Sequence, residues 1–255
     1  SQKNVKLGAS SKIRRWTFGG NHLAREAKSH RKTRTITAVV GIGRVGLPLA
    51  LFLADHGHTV YGLDIDQEKV NTISKGQLPF MEDGAQEILD KYVGKAFHAS
   101  TDFSNIAKVQ NIILTLGTPV DENMNPSLVQ IDKALETARP YLKRGQLLIL
   151  RSTVSPGTSQ YVRSYLTELG FKVGTNFYLA FCPERIAEGR SLAELKIIPQ
   201  IVGGIDREST RIAADFFKNL NIEVNLADAI SAELAKLFTN MYRYIYFAIA
   251  NEFMI

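Results

Sequence analysis

A glycine-rich turn between an apolar strand and a helix constrains this chain more than any other feature. The turn spans residues 41–46 with the sequence GIGRVG; it follows the apolar run Ile36–Val40 and precedes a helical pattern over Ala50–Asp55. A second apolar run, Thr59–Leu63, ends at Asp64. This order of strand, glycine turn, helix, strand and acid is typical of a dinucleotide-binding unit.

Each part of this unit has a physical role in holding a dinucleotide. Gly41 allows a tight turn, Gly43 lets the backbone approach a pyrophosphate, and Gly46 lets the helix pack closely on the strand. The free N–H groups at the helix N-terminus then face the phosphate charge. Asp64 can accept hydrogen bonds from both ribose hydroxyls and would repel a 2′-phosphate. The sequence therefore predicts a site for NAD rather than NADP.

The composition limits the other classes of function. Apolar residues make up 45% of the 255 residues, which is typical of a globular protein. The single cysteine, Cys182, excludes a disulfide framework and suggests a reducing compartment, so we expect a cytoplasmic location. Of the five histidines only His56 and His58 are close in sequence, where they flank Gly57 in a turn, and none lies near the cysteine, so we predict no metal site. No apolar run approaches the roughly 20 residues of a membrane span, so we expect none.

The positive charge of the chain is confined to its first 34 residues. Residues 1–34 hold ten Lys or Arg and one acid, whereas residues 35–255 hold 21 basic and 24 acidic residues. A basic arm of this kind could contact nucleic acid or anionic lipid. We interpret it as a solvated or partner-packed extension, because no nucleic-acid-binding motif accompanies it.

Apolar segments alternate with helical patterns from Ile36 onward. Strands are predicted over residues 36–41, 59–64, 111–116, 146–151, 176–181 and 200–203. Helices are predicted over residues 44–56, 66–75, 83–94, 127–142, 157–169 and 206–219. This alternation predicts an α/β fold with a Rossmann-type, doubly wound parallel sheet.

A long helix is predicted to follow the sheet. Asp228 can cap it, and the pattern is still helical where the chain stops at Ile255, which is typical of a truncated chain. We therefore expect a basic arm over residues 1–34, a dinucleotide-binding domain over 35–227 and the start of a long helix over 228–255.

Three loops that follow predicted strands carry candidate functional residues. They are Leu116–Pro119, Arg151–Thr158 and Cys182–Arg190. Loops at the carboxyl ends of parallel strands form the ligand crevice in this architecture. On the last helix Lys236, Asn240 and Arg243 fall on one face. Taken singly, these residues also fit ordinary turns, solvated acids and an exposed helix face.

Taken together, six motifs in this order resemble the UDP-glucose/GDP-mannose dehydrogenase family. The motifs are Gly41–Ala50, Gly117–Pro119, Ser152–Thr158, Pro183–Arg185, Ile201–Gly204, and Ala232–Lys236 with Asn240, Asn251 and Glu252. The resemblance covers residues 35–255. It implies oxidation of the C6 alcohol of a nucleotide sugar to a carboxylate, with two NAD molecules and one water. It also implies a Rossmann domain, a central helix that supports a homodimer or higher homo-oligomer, and a second domain for the nucleotide.

The resemblance implies a role for each matching position. NAD would be bound by Gly41, Ile42, Gly43, Arg44, Val45, Gly46, Asp64, Lys69, Gly117, Thr118, Pro119, Thr153 and Glu188. The catalytic residues would be Thr153, Glu184, Lys236 and Asn240. The UDP-sugar would contact Glu184, Arg185, Lys236, Asn240 and Arg243. Glu184 would position or deprotonate water, and Lys236 with Asn240 would stabilise charge on the substrate oxygen, as such chemistry requires.

The chain departs from the family pattern in several places. The family's nucleophilic cysteine lies in a Gly-rich motif after the central helix, and this chain ends before that motif and before the nucleotide-binding domain. Cys182 does not match the nucleophile, and we interpret it as a small buried residue. Arg44 stands where the family often has an aromatic residue. The arm over residues 1–34 has no counterpart.

The sugar and two other functions stay open at the level of sequence. Pro183–Arg185, Tyr242–Arg243 and Ala248–Glu252 favour UDP-N-acetyl-D-mannosamine, with UDP-glucose and UDP-N-acetylglucosamine as alternatives. A two-electron hydroxyacid dehydrogenase would share the Rossmann start and a catalytic lysine, but not the motifs at residues 152–158 and 183–185. A non-catalytic NAD-binding module would be favoured if the natural chain ended at Ile255.

Overall fold

A computed structural model describes residues 35–117, 128–186 and 189–254. The basic arm predicted over residues 1–34 lies outside the described residues, as do Thr118, Pro119 and Glu188. The strands are β1 (Ile36–Val40), β2 (Thr59–Leu63), β3 (Phe97–Ser100), β4 (Asn111–Leu114), β5 (Leu147–Leu150), β6 (Tyr178–Phe181), β7 (Gln200–Gly204) and β8 (Val224–Asp228). The α-helices are α1 (Gly46–Asp55), α2 (Gln67–Ser74), α3 (Ala85–Tyr92), α4 (Val129–Ala138), α5 (Thr158–Glu168), α6 (Ser191–Ile197), α7 (Arg207–Lys218) and α8 (Ala229–Glu252).

The strands form one sheet in the order β3-β2-β1-β4-β5-β6-β7-β8. The first six strands are parallel. The chain moves outward from β1 to β3 and then returns to the other side of β1 at β4. This reversal of strand order opens a crevice at the carboxyl ends of β1 and β4, where ligands bind in doubly wound sheets. The predicted fold class is confirmed.

Apolar side chains cover both faces of the sheet. Along β5 all four residues are buried, with Leu147 and Ile149 in the core on one face and Leu148 and Leu150 in the core on the other. Continuous apolar strands of this kind are typical of a parallel sheet with helices on both sides. The two cores support the sheet from both faces.

The sheet differs from the prediction at its last two strands. The strand predicted over 200–203 is present as β7, but it runs antiparallel to β6, and β8 is parallel to β7. At this edge the sheet therefore departs from the parallel arrangement of its first six strands. Strands β3 and β8 and helix α6 were not predicted. The helix predicted over 127–142 is shorter, because Pro140 lies in a short 3-10 segment after Ala138.

Helix α8 leaves the sheet and becomes exposed. The Asp228 carboxylate caps it by accepting hydrogen bonds from Ser231 N (2.8 Å) and Ser231 Oγ (2.7 Å). Its buried residues are Ala229, Ala232 and Glu233, all in the first two turns. Among the described helices, neither α8 nor any other combines the length and apolar character that a membrane span requires.

Candidate cofactor and active site

The turn between β1 and α1 has the geometry that a pyrophosphate needs. Gly41 has φ +90°, and a Cβ on Gly46 would lie 1.9 Å from the Gly41 carbonyl oxygen. The backbone of the helix and the turn therefore touch, which only glycine permits. A Cβ on Gly43 would meet no atom within 4 Å, so the chain is open to a ligand at that point.

The N-terminus of α1 is free to bind an anion. Its N-cap residue, Val45, makes no side-chain cap, and no acid lies in the first helical turn. Uncapped N–H groups and the helix dipole both favour negative charge at this end. The residues at this point thus fit the diphosphate of a dinucleotide.

Asp64 stands at the end of β2, next to the turn. Its Oδ2 accepts hydrogen bonds from Ile42 N (3.0 Å) and from Lys69 Nζ (3.0 Å), while its Oδ1 accepts one from Asp66 N (3.1 Å). The carboxylate is buried beside a cavity of about 230 Å³, which we call the Asp64 cavity. The sides of the cavity are mainly apolar, which suits an adenine ring, and its lining includes Val40, Gly41, Leu63, Ile65, Phe103, Leu116, Gln130, Lys133, Ala134 and Thr137.

A second cleft, of about 460 Å³, lies on the other side of the turn. We call it the Lys236 cleft. It brings together predicted site residues from five separate parts of the chain: Gly43, Arg44, Val45, Gly117, Thr153, Glu184 and Lys236. Leu116 lines both the Asp64 cavity and the Lys236 cleft, so the two adjoin at this residue.

Glu184 is held by a buried arginine. Arg151 follows β5 and is 1% exposed; its Nε donates to Glu184 Oε2 (2.7 Å), and its Nη2 forms an ion pair with the same oxygen. The other oxygen of Glu184 accepts hydrogen bonds from Arg185 N (2.8 Å) and Ile186 N (3.1 Å). Arg151 Nη1 also donates to Gln200 Oε1 (2.8 Å) on β7. Both oxygens of this carboxylate are therefore fixed.

Lys236 is a cation in a crowded, positively charged cleft. Burial lowers the pKa of its ammonium group below the usual range, and the Glu184 carboxylate opposes this shift. Three guanidinium groups lower the pKa further, and they belong to Arg243, Arg151 and Arg185. The site favours any ligand group that brings negative charge to Lys236.

Cys182 is unsuited to nucleophilic chemistry in this structure. It is fully buried, and burial raises the pKa of its thiol to about 12, against the opposing effect of Arg151. The thiolate is the reactive form of cysteine. The position of Cys182 agrees with its interpretation as a small buried residue.

The structure does not bring every predicted residue to the cleft. Asn240 and Arg243 are exposed on α8, beyond the residues that line the Lys236 cleft. Arg185 is half-buried, and its Nη2 donates to the carbonyl of Pro199. Arg44 lies at the rim with its guanidinium 5.6 Å from the centre of the Phe80 ring. Within the described part of the chain, no cluster of His, Cys, Asp or Glu could hold a metal ion.

The sequence assigned no role to three buried charged residues that support the site: Arg151, Glu82 and Glu233. Glu82 accepts hydrogen bonds from Gly189 N (2.9 Å) and Ser191 N (2.6 Å) and so fixes the end of the loop that contains Glu184. One feature of the sequence points to Arg151, because a charged residue directly after the buried strand Leu147–Leu150 lies at the ligand edge of the sheet. The contacts of the two glutamates could not be predicted, because their partners are more than 70 residues away along the chain.

Comparison with known proteins agrees with this geometry. Residues 35–221 match the model of the NAD-binding domain of the UDP-glucose/GDP-mannose dehydrogenase family. A UDP-N-acetyl-D-mannosamine dehydrogenase of Methanococcus aeolicus is 34% identical over 229 residues, which are 89% of this chain and 51% of that protein. The chain thus spans about half the length of the relatives that it matches.

Solved structures give the same result. The structure of a UDP-D-ManNAc dehydrogenase from Pyrococcus horikoshii matches with a TM-score of 0.82 and 30% identity, over 86% of this chain and 53% of that one. A GDP-mannose dehydrogenase from Pseudomonas aeruginosa matches with a TM-score of 0.78 and 25% identity, over 85% and 51% of the two chains. The chain belongs to the UDP-glucose/GDP-mannose dehydrogenase family, and it carries that family's NAD-binding domain.

Proposed function

We propose that this chain is the NAD-binding and lysine-bearing part of an enzyme that oxidises the C6 alcohol of a UDP-sugar to the carboxylate. The observation that carries the proposal is the Lys236 cleft, where the dinucleotide turn meets Thr153, Glu184 and Lys236. We favour UDP-N-acetyl-D-mannosamine as the sugar, because two relatives with this activity in their names are 34% and 32% identical to the chain. UDP-glucose and UDP-N-acetylglucosamine are the alternatives.

The proposed assignments follow the family pattern. Residues 35–227 would form the NAD-binding domain, and residues 228–255 would begin the central helix of a homodimer or higher homo-oligomer. Asn240, Arg185 and Arg243 would reach the sugar nucleotide, and Thr118, Pro119 and Glu188 would contact NAD. The lone, buried Cys182 supports a reducing compartment, and we propose a cytoplasmic location.

The residues of the cleft suit this reaction. NAD, when bound, supplies the hydride acceptor, and conversion of an alcohol to a carboxylate needs two such acceptors and one water. The Lys236 ammonium would stabilise negative charge on the substrate oxygen. Glu184 is held by Arg151 and two backbone N–H groups, so we assign it to positioning water or substrate rather than to removing a proton.

The experiment is a turnover assay on a full-length enzyme that carries this chain. We expect two NADH per molecule of UDP-N-acetyl-D-mannosamine, and slower turnover of the two alternative sugars. One NADH per molecule of a hydroxyacid would favour the two-electron alternative. Binding of NADH without turnover of any of these substrates would favour a non-catalytic module. The 255-residue chain alone should form no uronate, because its single thiol is buried and protonated.

A further inference from the structure

The Glu233 side chain joins α8 to the start of α5. Its Oε1 accepts hydrogen bonds from Ser159 N (2.8 Å) and Ser159 Oγ (2.6 Å), and its Oε2 accepts one from Gly157 N (2.7 Å). The residue is 1% exposed. An acid on α8 therefore satisfies N–H groups at the first turn of α5 that would otherwise lack partners.

The hydrogen bonds of Glu233 connect the two segments that carry Thr153 and Lys236, which both line the Lys236 cleft. Helix α5 begins directly after the loop that carries Thr153, and Lys236 lies three residues after Glu233 on α8. The other buried residues of α8 are small: Ala232 packs against Gly203, where a Cβ would lie 2.5 Å from the Ala232 Cβ. Small apolar contacts allow helices to approach closely but do not fix their register. Charge-assisted hydrogen bonds are directional and do fix it.

We propose that Glu233 is a positioning residue, which sets where Lys236 stands relative to the Thr153 loop. The catalytic meaning of that position rests on the proposed function, whereas the position itself can be measured in this chain without substrate. Replacement of Glu233 by glutamine leaves only one side-chain oxygen that can accept hydrogen bonds. The new NH₂ group faces the backbone N–H of Gly157 or Ser159 and cannot accept a hydrogen bond from it. Helix α8 would then shift, and Lys236 would leave its crowded position in the cleft.

The test is a titration of Lys236 by NMR in the 255-residue chain labelled with ¹³C at lysine Cε. The resonance of Lys236 is identified by its loss in Lys236→Arg. The charged groups that act on it most are Glu184, Arg151, Arg185 and Arg243, and Arg44 lines the same cleft. In the unmodified chain Lys236 should titrate below the value of a solvated lysine, about 10.4. In Glu233→Gln its midpoint should rise toward that value, because Lys236 would leave the buried part of the cleft. Loss of the Glu233 charge by itself would lower the midpoint, so a rise reports movement of the lysine.

The matched control is Asp206→Asn. The Asp206 carboxylate also accepts hydrogen bonds from a serine N–H and its hydroxyl, Ser209 N (2.8 Å) and Ser209 Oγ (2.9 Å), but at the start of α7 and outside the cleft lining. This variant should leave the Lys236 midpoint unchanged. Ser159→Ala removes one of the three donors to Glu233 and should give a smaller rise.

A folded Glu233→Gln chain with an unchanged Lys236 midpoint would overturn the proposal. If Glu233→Gln does not fold, the Ser159→Ala variant is the deciding test. A higher Lys236 midpoint in Ser159→Ala supports the proposal, and an unchanged midpoint refutes it. Calorimetry with NADH separates this inference from the proposed function. A chain that binds no NADH would contradict the proposed function, whereas the Lys236 midpoint alone would still decide the role of Glu233.

Discussion

At the scale of single residues, the cleft depends on charges that are buried in pairs. Arg151 and Glu184 are both buried, and their pairing satisfies groups that would be costly to bury alone. Asp64 is likewise buried and is paired with Lys69. Each pair holds a carboxylate of the candidate site in place without a ligand.

Loss of Arg151 should be far more harmful than loss of an exposed arginine. Arg151→Met leaves the Glu184 carboxylate buried without a counter-ion, and the free energy of unfolding in urea should fall by about 3–5 kcal/mol. The double variant Arg151→Met/Glu184→Met should recover most of this loss, because neither charge of the buried pair remains. Arg211→Met, which breaks only exposed ion pairs, serves as the control and should have little effect. An Arg151→Met variant as stable as the unmodified chain would contradict the pairing of Arg151 with Glu184.

Asp64 should decide which dinucleotide binds. A 2′-phosphate would bring negative charge to a buried carboxylate, so the chain should bind NADH on the order of 100-fold more tightly than NADPH. In Asp64→Ala the difference in affinity between NADH and NADPH should become smaller. In the control variant Asp66→Asn this difference should persist, because Asp66 does not line the Asp64 cavity. Titration calorimetry measures both affinities. Equal binding of the two cofactors by the unmodified chain would refute this role.

Lys236 should affect the chemical step and not the binding of NAD. In a full-length enzyme Lys236→Ala should lower kcat by roughly 10²–10³, the usual effect of losing one donor to a developing oxyanion. The NADH affinity of the 255-residue chain should be unchanged by this substitution. Lys218→Ala, at the end of α7, is the control. Near-normal kcat in Lys236→Ala would show that the assigned site is wrong.

The lowered pKa of Lys236 also sets the direction of a pH effect. The ammonium form carries the charge that stabilises the oxyanion, and deprotonation removes it. Activity of the full-length enzyme should therefore fall as pH rises through the lowered pKa, earlier than a solvated lysine at about 10.4 would allow. A pH–rate profile of kcat measures this fall, and a decline that persisted in Lys236→Arg would assign it to another group.

At the scale of helices and strands, the reversed edge of the sheet explains how Lys236 reaches the cleft. A helix that packs on a sheet runs opposite to the strand before it. Because β8 runs against β1 and β4–β6, helix α8 runs with them, toward the carboxyl ends that border the crevice. Eight residues after its cap at Asp228, or about 12 Å along the axis, the helix brings Lys236 to that edge.

Much of this arrangement could be predicted from the sequence, and the reversal could not. The glycine turn, Asp64 and α8 follow from local spacing, because each depends on neighbours along the chain. The direction of β7 could not be predicted. The short segment Gln200–Gly204 would be buried equally well in a strand parallel or antiparallel to β6. Strand β3 is short and only partly apolar, which hides it among turns. The Arg151–Glu184–Gln200 contacts join three distant segments, and local patterns carry no record of them.

At the scale of the whole molecule, α8 exposes, from Phe238 onward, a series of large apolar side chains that no other described residue covers. Its exposed side chains are Phe238, Met241, Tyr242, Tyr244, Ile245, Tyr246, Phe247 and Ile249, with Phe253 and Met254 just beyond the helix. Contiguous apolar surface of this kind marks an interaction site. Because the family pattern implies a dimer through this helix, we expect a second copy of the chain to cover it.

The chain should therefore self-associate through α8. Sedimentation at tens of micromolar, a range in which weak specific interfaces are still populated, should show a dimer or larger species. Ile245→Glu with Ile249→Glu places two charges on one face of α8 and should give monomers. Ile197→Glu, at a more exposed site on α6, should not. A monomer in the unmodified chain would contradict this assembly.

The exposed face of α8 also links the stability of the fold to protein concentration. Association that occurs only between folded chains draws the folding equilibrium toward the native state by mass action. The thermal midpoint of this chain should then rise by roughly 2–4 °C for each tenfold increase in concentration. The midpoint of the Ile245→Glu/Ile249→Glu chain should not depend on concentration. Folding and assembly would thus be one coupled equilibrium, in which the abundance of the protein contributes to its own resistance to unfolding.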